Sequence, residues 1–212
     1  MKKALFIRPS HDDVTSYLHH YSKELLKEAD NKGFKTMNKE KDDATCAIVV
    51  SVIDKNDPEF IMFNGHGNTN LICGHKDEIL IQKGVNHKLL KNKMIYSVSC
   101  SSAEDLGESV GDKKTTFIGY TEEFALGMDI TCQTAVHRDK RAKLFLEPSN
   151  LLVKSILKGN SAKEAVAKAK SLMRENISKL RTDPFPDAKD YLPYLYNNYL
   201  VLDIKGNESA TL

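Results

Sequence analysis

Short apolar, β-branched runs alternate with amphipathic stretches along most of this 212-residue chain, and that alternation narrows the fold more than any other feature. Residues 4–7, 60–63, 94–98 and 115–119 read as strands. Between them, Val14, Leu18, Tyr21, Leu25 and Leu26 recur at helical spacing after Ser10, which can cap a helix. Gly33 stands where such a helix would end, ahead of an exposed strand over 34–37. Residues 43–53 are β-branched, which argues strand, but Asp42 and Asp43 resemble caps and another strand follows, so a buried crossover helix is favoured. Residues 70–73 and 78–81 flank Gly74-His-Lys-Asp77 as a hairpin, and 87–90 form a short helix. Further helices are expected over 103–110, 144–157, 191–197 and from the capping box Ser161-Ala-Lys-Glu164 to about residue 180. A final strand spans 199–204. The implied class is α/β: a three-layer sandwich with a mostly parallel sheet and helices on both faces.

The apolar fraction of 41% and charged fraction of 28% are ordinary for a globular chain, and a net charge of +2 gives no general attraction to nucleic acid or an anionic membrane. No apolar run approaches the ~20 residues of a spanning helix, and the segment after Met1-Lys2-Lys3 is too short for a signal-peptide core. Cys46, Cys73, Cys100 and Cys132 are dispersed without paired spacing, which argues against a disulfide framework and for a reducing, cytoplasmic setting. The expected organisation is one domain over 1–205 and a tail over 206–212 that frays.

Two strands end abruptly at reactive side chains. Phe60-Ile-Met-Phe-Asn-Gly-His-Gly67 ends at His66, and Met94-Ile-Tyr-Ser-Val-Ser-Cys-Ser101 ends at Cys100. If the strands are parallel neighbours, imidazole and thiol emerge at the same carboxyl-end edge, where open α/β folds carry their sites. A thiol beside an imidazole is the minimum for thiolate catalysis. Cys100 directly precedes an expected helix start, whose dipole would favour the thiolate. The amides of Gly67 and Cys100 are candidates for holding an oxyanion. Nothing in the sequence singles out a third acid for His66, and no cofactor is needed. His66, Cys73, His75 and Cys100 lack the Cys-x-x-Cys or His-x₃-His spacing that pre-forms a metal site, so none is expected.

A strand, Gly-His-Gly, a hairpin, then a strand ending in Ser-Cys-Ser resembles the caspase-like (clan CD) cysteine peptidases. The His–Cys spacing of 34 residues (100 − 66) is shorter than the roughly 50 typical of caspases. Val98-Ser99-Cys100 replaces their Gln-Ala-Cys, so the resemblance is closer to the CHAT and gingipain-like branch. Asp57-Pro-Glu-Phe-Ile-Met-Phe, Phe117-Ile-Gly-Tyr and Leu157-Lys-Gly-Asn-Ser-Ala-Lys-Glu-Ala165 are similar to that branch too. The resemblance implies a caspase-like peptidase domain that attacks a protein or peptide substrate with Cys100, His66 serving as base, and that answers to a regulatory or activating protein. It implies a first specificity pocket lined by Arg8, Asp12, Asp13, Val98, Glu122 and Glu123. Acids outnumber the base there, which suits Lys or Arg beside the scissile bond; Arg8 at the pocket floor would instead suit acidic residues. Self-cleavage is expected in a basic loop over 136–143. The alternative is a catalytically silent module that binds a partner through the same cleft.

Overall fold

The computed structural model describes residues 1–183 and 186–212, with the side chains of Ile130, Gln133, Thr134 and Pro186 left aside. Six strands form one sheet in the order β2-β1-β3-β7-β8-β9. They are β1 (Lys3–Arg8), β2 (Lys35–Glu40), β3 (Phe60–Asn64), β7 (Met94–Val98), β8 (Thr116–Tyr120) and β9 (Leu202–Gly206). All pairs are parallel except β8–β9. A separate antiparallel ribbon, β4 (Gly67–Asn68), β5 (Leu71–Cys73) and β6 (Ile79–Gln82), rises from the end of β3.

Strand alternation divides the core into two layers. Phe6, Phe60, Met62, Tyr96 and Ile118 face α1 (Asp13–Asn31), α4 (Lys140–Leu157), α5 (Ala162–Thr182) and α6 (Leu192–Val201). Leu5, Ile7, Ile61, Phe63, Ile95 and Phe117 face α2 (Cys46–Asn56), α3 (Asp105–Val110) and the ribbon. The β1, β3 and β7 strands are buried on both faces, which is why they read as continuous apolar runs. The open alternatives over 43–53 resolve as helix, because Val49 and Ile53 pack one face against the sheet. Among the described residues no helix is long and apolar enough to cross a membrane.

Several local expectations change. Asp12, not Ser10, caps α1: its side chain accepts from the Thr15 amide while Thr15 bonds back to the Asp12 amide. The helix after Cys100 starts only at Asp105, because the chain first makes a turn in which Ser101 is left-handed (φ 54°) and bonds its amide to the Glu122 carbonyl. The basic segment over 136–143 is not a loop. A 3₁₀ stretch ends at Arg138, and Asp139 then caps α4 through the Arg141 and Ala142 amides. The tail is docked rather than frayed. Ala210 and Leu212 pack against the core, the Ala162 amide donates to Ala210 O and the Thr116 hydroxyl to Asn207 O.

Candidate functional site

In the parallel β3–β7 pair the last matched residues are Asn64 and Val98. His66 and Cys100 each lie two residues beyond that match, so both residues stand at the carboxyl edge of the sheet. The approach of the two loops is close: a Cβ on Gly67 would come within 3.1 Å of Ser99 Cβ and 2.7 Å of Leu71 O. Gly65 has φ +149°, and a side chain there would strike Cys73 O at 2.5 Å. Only glycine fits such a turn. The loop is pinned by the Gly65 amide donating to Val98 O (3.2 Å) and the Cys73 amide donating to His66 O (2.9 Å).

That second bond makes His66 and Cys73 the hydrogen-bonded pair of the β4–β5 ladder. The next pair, Gly67 opposite Ile72, is therefore non-hydrogen-bonded, and the Gly67 N–H points away from the ribbon. Asn64, one step before the turn, is buried and donates to Leu18 O and Ser22 Oγ.

His66 has a partner that sequence reasoning missed. Its Nε2 lies 2.6 Å from Asp12 Oδ2, and the imidazole is 37% exposed. Burial favours the protonated carboxyl of Asp12, but bonds from the Thr15 amide, His66 and the Thr15 hydroxyl outweigh it and hold the pKa below the usual value. An ionised carboxylate only accepts, so Nε2 carries the proton, and in the neutral ring Nδ1 holds the lone pair. The available signal was positional: β1 neighbours β3, so an acid just past the end of β1 lands beside whatever ends β3.

The thiol of Cys100 is half-buried, with Sγ 3.9 Å from Phe124 O. Burial pushes its pKa up, and Glu123 adds to that against the bond to Phe124. The expected helix-dipole activation is thus a correction: α3 begins five residues beyond Cys100, and burial disfavours the thiolate. The thiol and the imidazole are not hydrogen-bonded to each other.

The six residues expected to line a specificity pocket separate. Arg8 is fully buried beneath α1, donating from Nε to Ser22 Oγ (2.9 Å), from Nη1 to Glu40 Oε2 (2.8 Å) and from Nη2 to His19 O. It holds β1, β2 and α1 together and reaches no substrate. Val98 is buried in the core on the α1 side. Asp12 is committed to His66 and to the helix cap, and Asp13 is the exposed first residue of α1. Glu122 and Glu123 are exposed and line a groove of about 470 Å³ with Ser101, Phe124, Tyr194 and Asn197. Ser101 and Phe124 put this groove directly beside Cys100.

A further histidine joins the cluster. His11 Nε2 lies 3.6 Å from Asp12 Oδ2 and 3.4 Å from Asp77 Oδ1, and its ring meets those of His66 and His75 edge-on. One ring nitrogen each of His11 and His66 and a carboxylate oxygen of Asp12 all lie within 4.8 Å of one another, close enough to hold one metal ion.

No family model matches this sequence. No curated protein matches it either. Among solved structures, the fold is similar to the complex of pro- and mature domains of RgpB from Porphyromonas gingivalis, with a TM-score of 0.64 at 11% identity over 99% of this chain and 48% of that one. It is likewise similar to the Arg-specific cysteine proteinase gingipain R, with a TM-score of 0.63 at 12% identity over 99% of this chain and 47% of that one. The chain thus spans about half the length of these neighbours. The likeness extends to the architecture: a mostly parallel sheet covered by helices on both faces, the caspase-like fold of the gingipains.

Proposed function

We propose that this chain is a cysteine endopeptidase in which Cys100 attacks a peptide carbonyl and His66 moves the proton. The observation that carries the reading is the β3–β7 register, which brings imidazole and thiol to the same edge with Asp12 behind the imidazole. With Nε2 bonded to Asp12, Nδ1 of His66 is the nitrogen free to take the thiol proton as the sulfur attacks. The raised pKa of the thiol makes this proton transfer part of the reaction with bound substrate rather than a pre-formed ion pair. The Gly67 and Cys100 amides would then face the oxyanion, and water releases the acyl-enzyme.

Glu122 and Glu123 favour a Lys or Arg side chain in the groove beside Cys100, and the sequestration of Arg8 removes the basis for an acidic preference. The neighbour whose description calls it Arg-specific has the same architecture, which is consistent with this reading. Self-cleavage, if it follows the same rule, is directed to Arg138, since Lys140, Arg141 and Lys143 lie in the first turn of α4. A fluorogenic panel with Lys, Arg, Asp or Leu before the scissile bond tests the assignment. Lys and Arg substrates should lead by at least about tenfold in kcat/KM, and Glu122→Gln/Glu123→Gln should erase most of that lead. Equal or absent hydrolysis across the panel would contradict it.

One observation favours the silent-module alternative: a protonated, half-buried thiol with no bond to the imidazole is also what an unused cysteine looks like.

A further inference from the structure

We propose that His11, Asp12 and His66 form a binding site for a borderline divalent cation of the zinc type, and that its occupation withdraws His66 from the thiol. The second half of this statement rests on the peptidase reading; the first does not.

Two imidazoles and one carboxylate are the donor set that zinc takes with three protein ligands, leaving a fourth position for water. Imidazole-rich sites disfavour calcium and magnesium, which prefer oxygen alone. Bonds of about 2.0–2.2 Å at tetrahedral angles put ligand atoms roughly 3.4 Å apart. His11 Nε2 and Asp12 Oδ2 already stand at 3.6 Å, and His66 Nε2 and Asp12 Oδ2 at 2.6 Å. The closer pair shares the proton on His66 Nε2. When a cation replaces that proton, charge repulsion between the ligands is screened and the pair opens by less than about 1 Å.

The ligands are held before any ion arrives. The His11 and Asp12 amides both donate to Thr15 Oγ1, at 3.0 and 3.1 Å, fixing the turn that carries two of them. The His66 loop is fixed by the Gly65 and Cys73 amide bonds. The His11 side chain is only 10% exposed, with its ring against His75, whose own Nε2 lies 2.9 Å from Asp42. Asp77, 3.4 Å from His11 Nε2, is placed to accept from a cation-bound water. His66 and Asp12, each 37% exposed, leave a path for the ion from solvent.

Nδ1 of His11 is buried without a partner. A coordinating ring would carry its remaining proton there unpaired, so the site is weaker than a structural zinc centre and loads reversibly. In each neutral ring the proton displaced from Nε2 passes through solvent to Nδ1, so none is lost on balance. With the ion on Nε2 and the proton on Nδ1, the His66 ring has no lone pair left to take the thiol proton.

The test is calorimetric titration of the full chain with ZnCl₂, supported by Co²⁺ absorption as a report of coordination. One equivalent should bind to wild type and equally to Cys100→Ala, while His11→Gln should bind at least about tenfold more weakly. Lack of saturable binding, an unaffected His11→Gln, or loss of binding in Cys100→Ala would overturn the site. Should His11→Gln fail to fold, zinc-induced shifts of imidazole resonances in wild type decide instead. Shifts led by His11 and His66 support the site, and shifts confined to His87 or His137 overturn it. Zinc should inhibit hydrolysis with the calorimetric midpoint; binding without inhibition would overturn the effect on His66. Absence of hydrolysis in metal-free protein bears on the peptidase reading alone, and the calorimetry still decides the site.

Discussion

Cys100→Ala should reduce peptide hydrolysis by at least about 10⁴-fold, to background, with the fold intact. The magnitude follows from removing the nucleophile of a coupled unit, after which only binding and oxyanion contacts remain. The cost in stability is small: the lost side chain is half-buried and its one bond is a weak 3.9 Å contact to Phe124 O. A thermal melt within a few degrees of wild type, with kcat at background, is the expected pair of results. The buried hydroxyls on either side of the turn give no substitute. Ser99 is buried and bonded to Ser97 Oγ at 2.6 Å, and Ser102 is buried beneath the turn. Residual activity within tenfold of wild type would mean that the nucleophile lies elsewhere.

Asp12→Asn should lower kcat by about 10² to 10⁴-fold while changing stability by less than about 1 kcal/mol. The two effects separate because the carboxylate has two jobs on two oxygens. Oδ1 caps α1 through the Thr15 amide at 2.7 Å, and asparagine caps equally well. Oδ2 accepts from His66 Nε2, and an amide nitrogen in its place donates instead. The imidazole then accepts at Nε2, carries its proton on Nδ1, and cannot receive the thiol proton. The loss should appear in kcat more than in KM, since the change acts on proton transfer rather than on substrate contacts. Asp12→Ala adds the loss of the cap, about 1 kcal/mol, to the same kinetic defect. A kcat within twofold of wild type in Asp12→Asn would leave Asp12 as a helix cap alone.

What the sequence revealed and what it hid follow the range of the interactions. Strands buried on both faces, such as Phe60–Asn64 and Met94–Val98, announce themselves as apolar runs because local composition and tertiary burial agree. The capping box at Ser161 is local chemistry and is found as read. The position of His66 and Cys100 at one sheet edge needed only the parallel order of two strands. By contrast, the role of Asp12 depends on β1 lying beside β3, a pairing across more than fifty residues. Arg8 reads as a substrate contact in one dimension, yet it is enclosed by Ser22, Glu40 and His19, contributed by elements on either side of it. The delay of α3 to Asp105 was illegible too, because the left-handed Ser101 is held by a bond to Glu122 beyond the next strand.

The central claim is that the imidazole of His66 acts on the sulfur of Cys100. Its most direct test is covalent capture on the full chain at pH 7 by a peptidyl chloromethyl ketone with Lys next to the reactive group, read by intact mass and peptide mapping. Cys100 should take the label while Cys46, Cys73 and Cys132 do not, and His66→Ala should slow the reaction by about 10²-fold or more. Slow labelling at the same rate in both proteins, or label spread over all four thiols, would contradict the account.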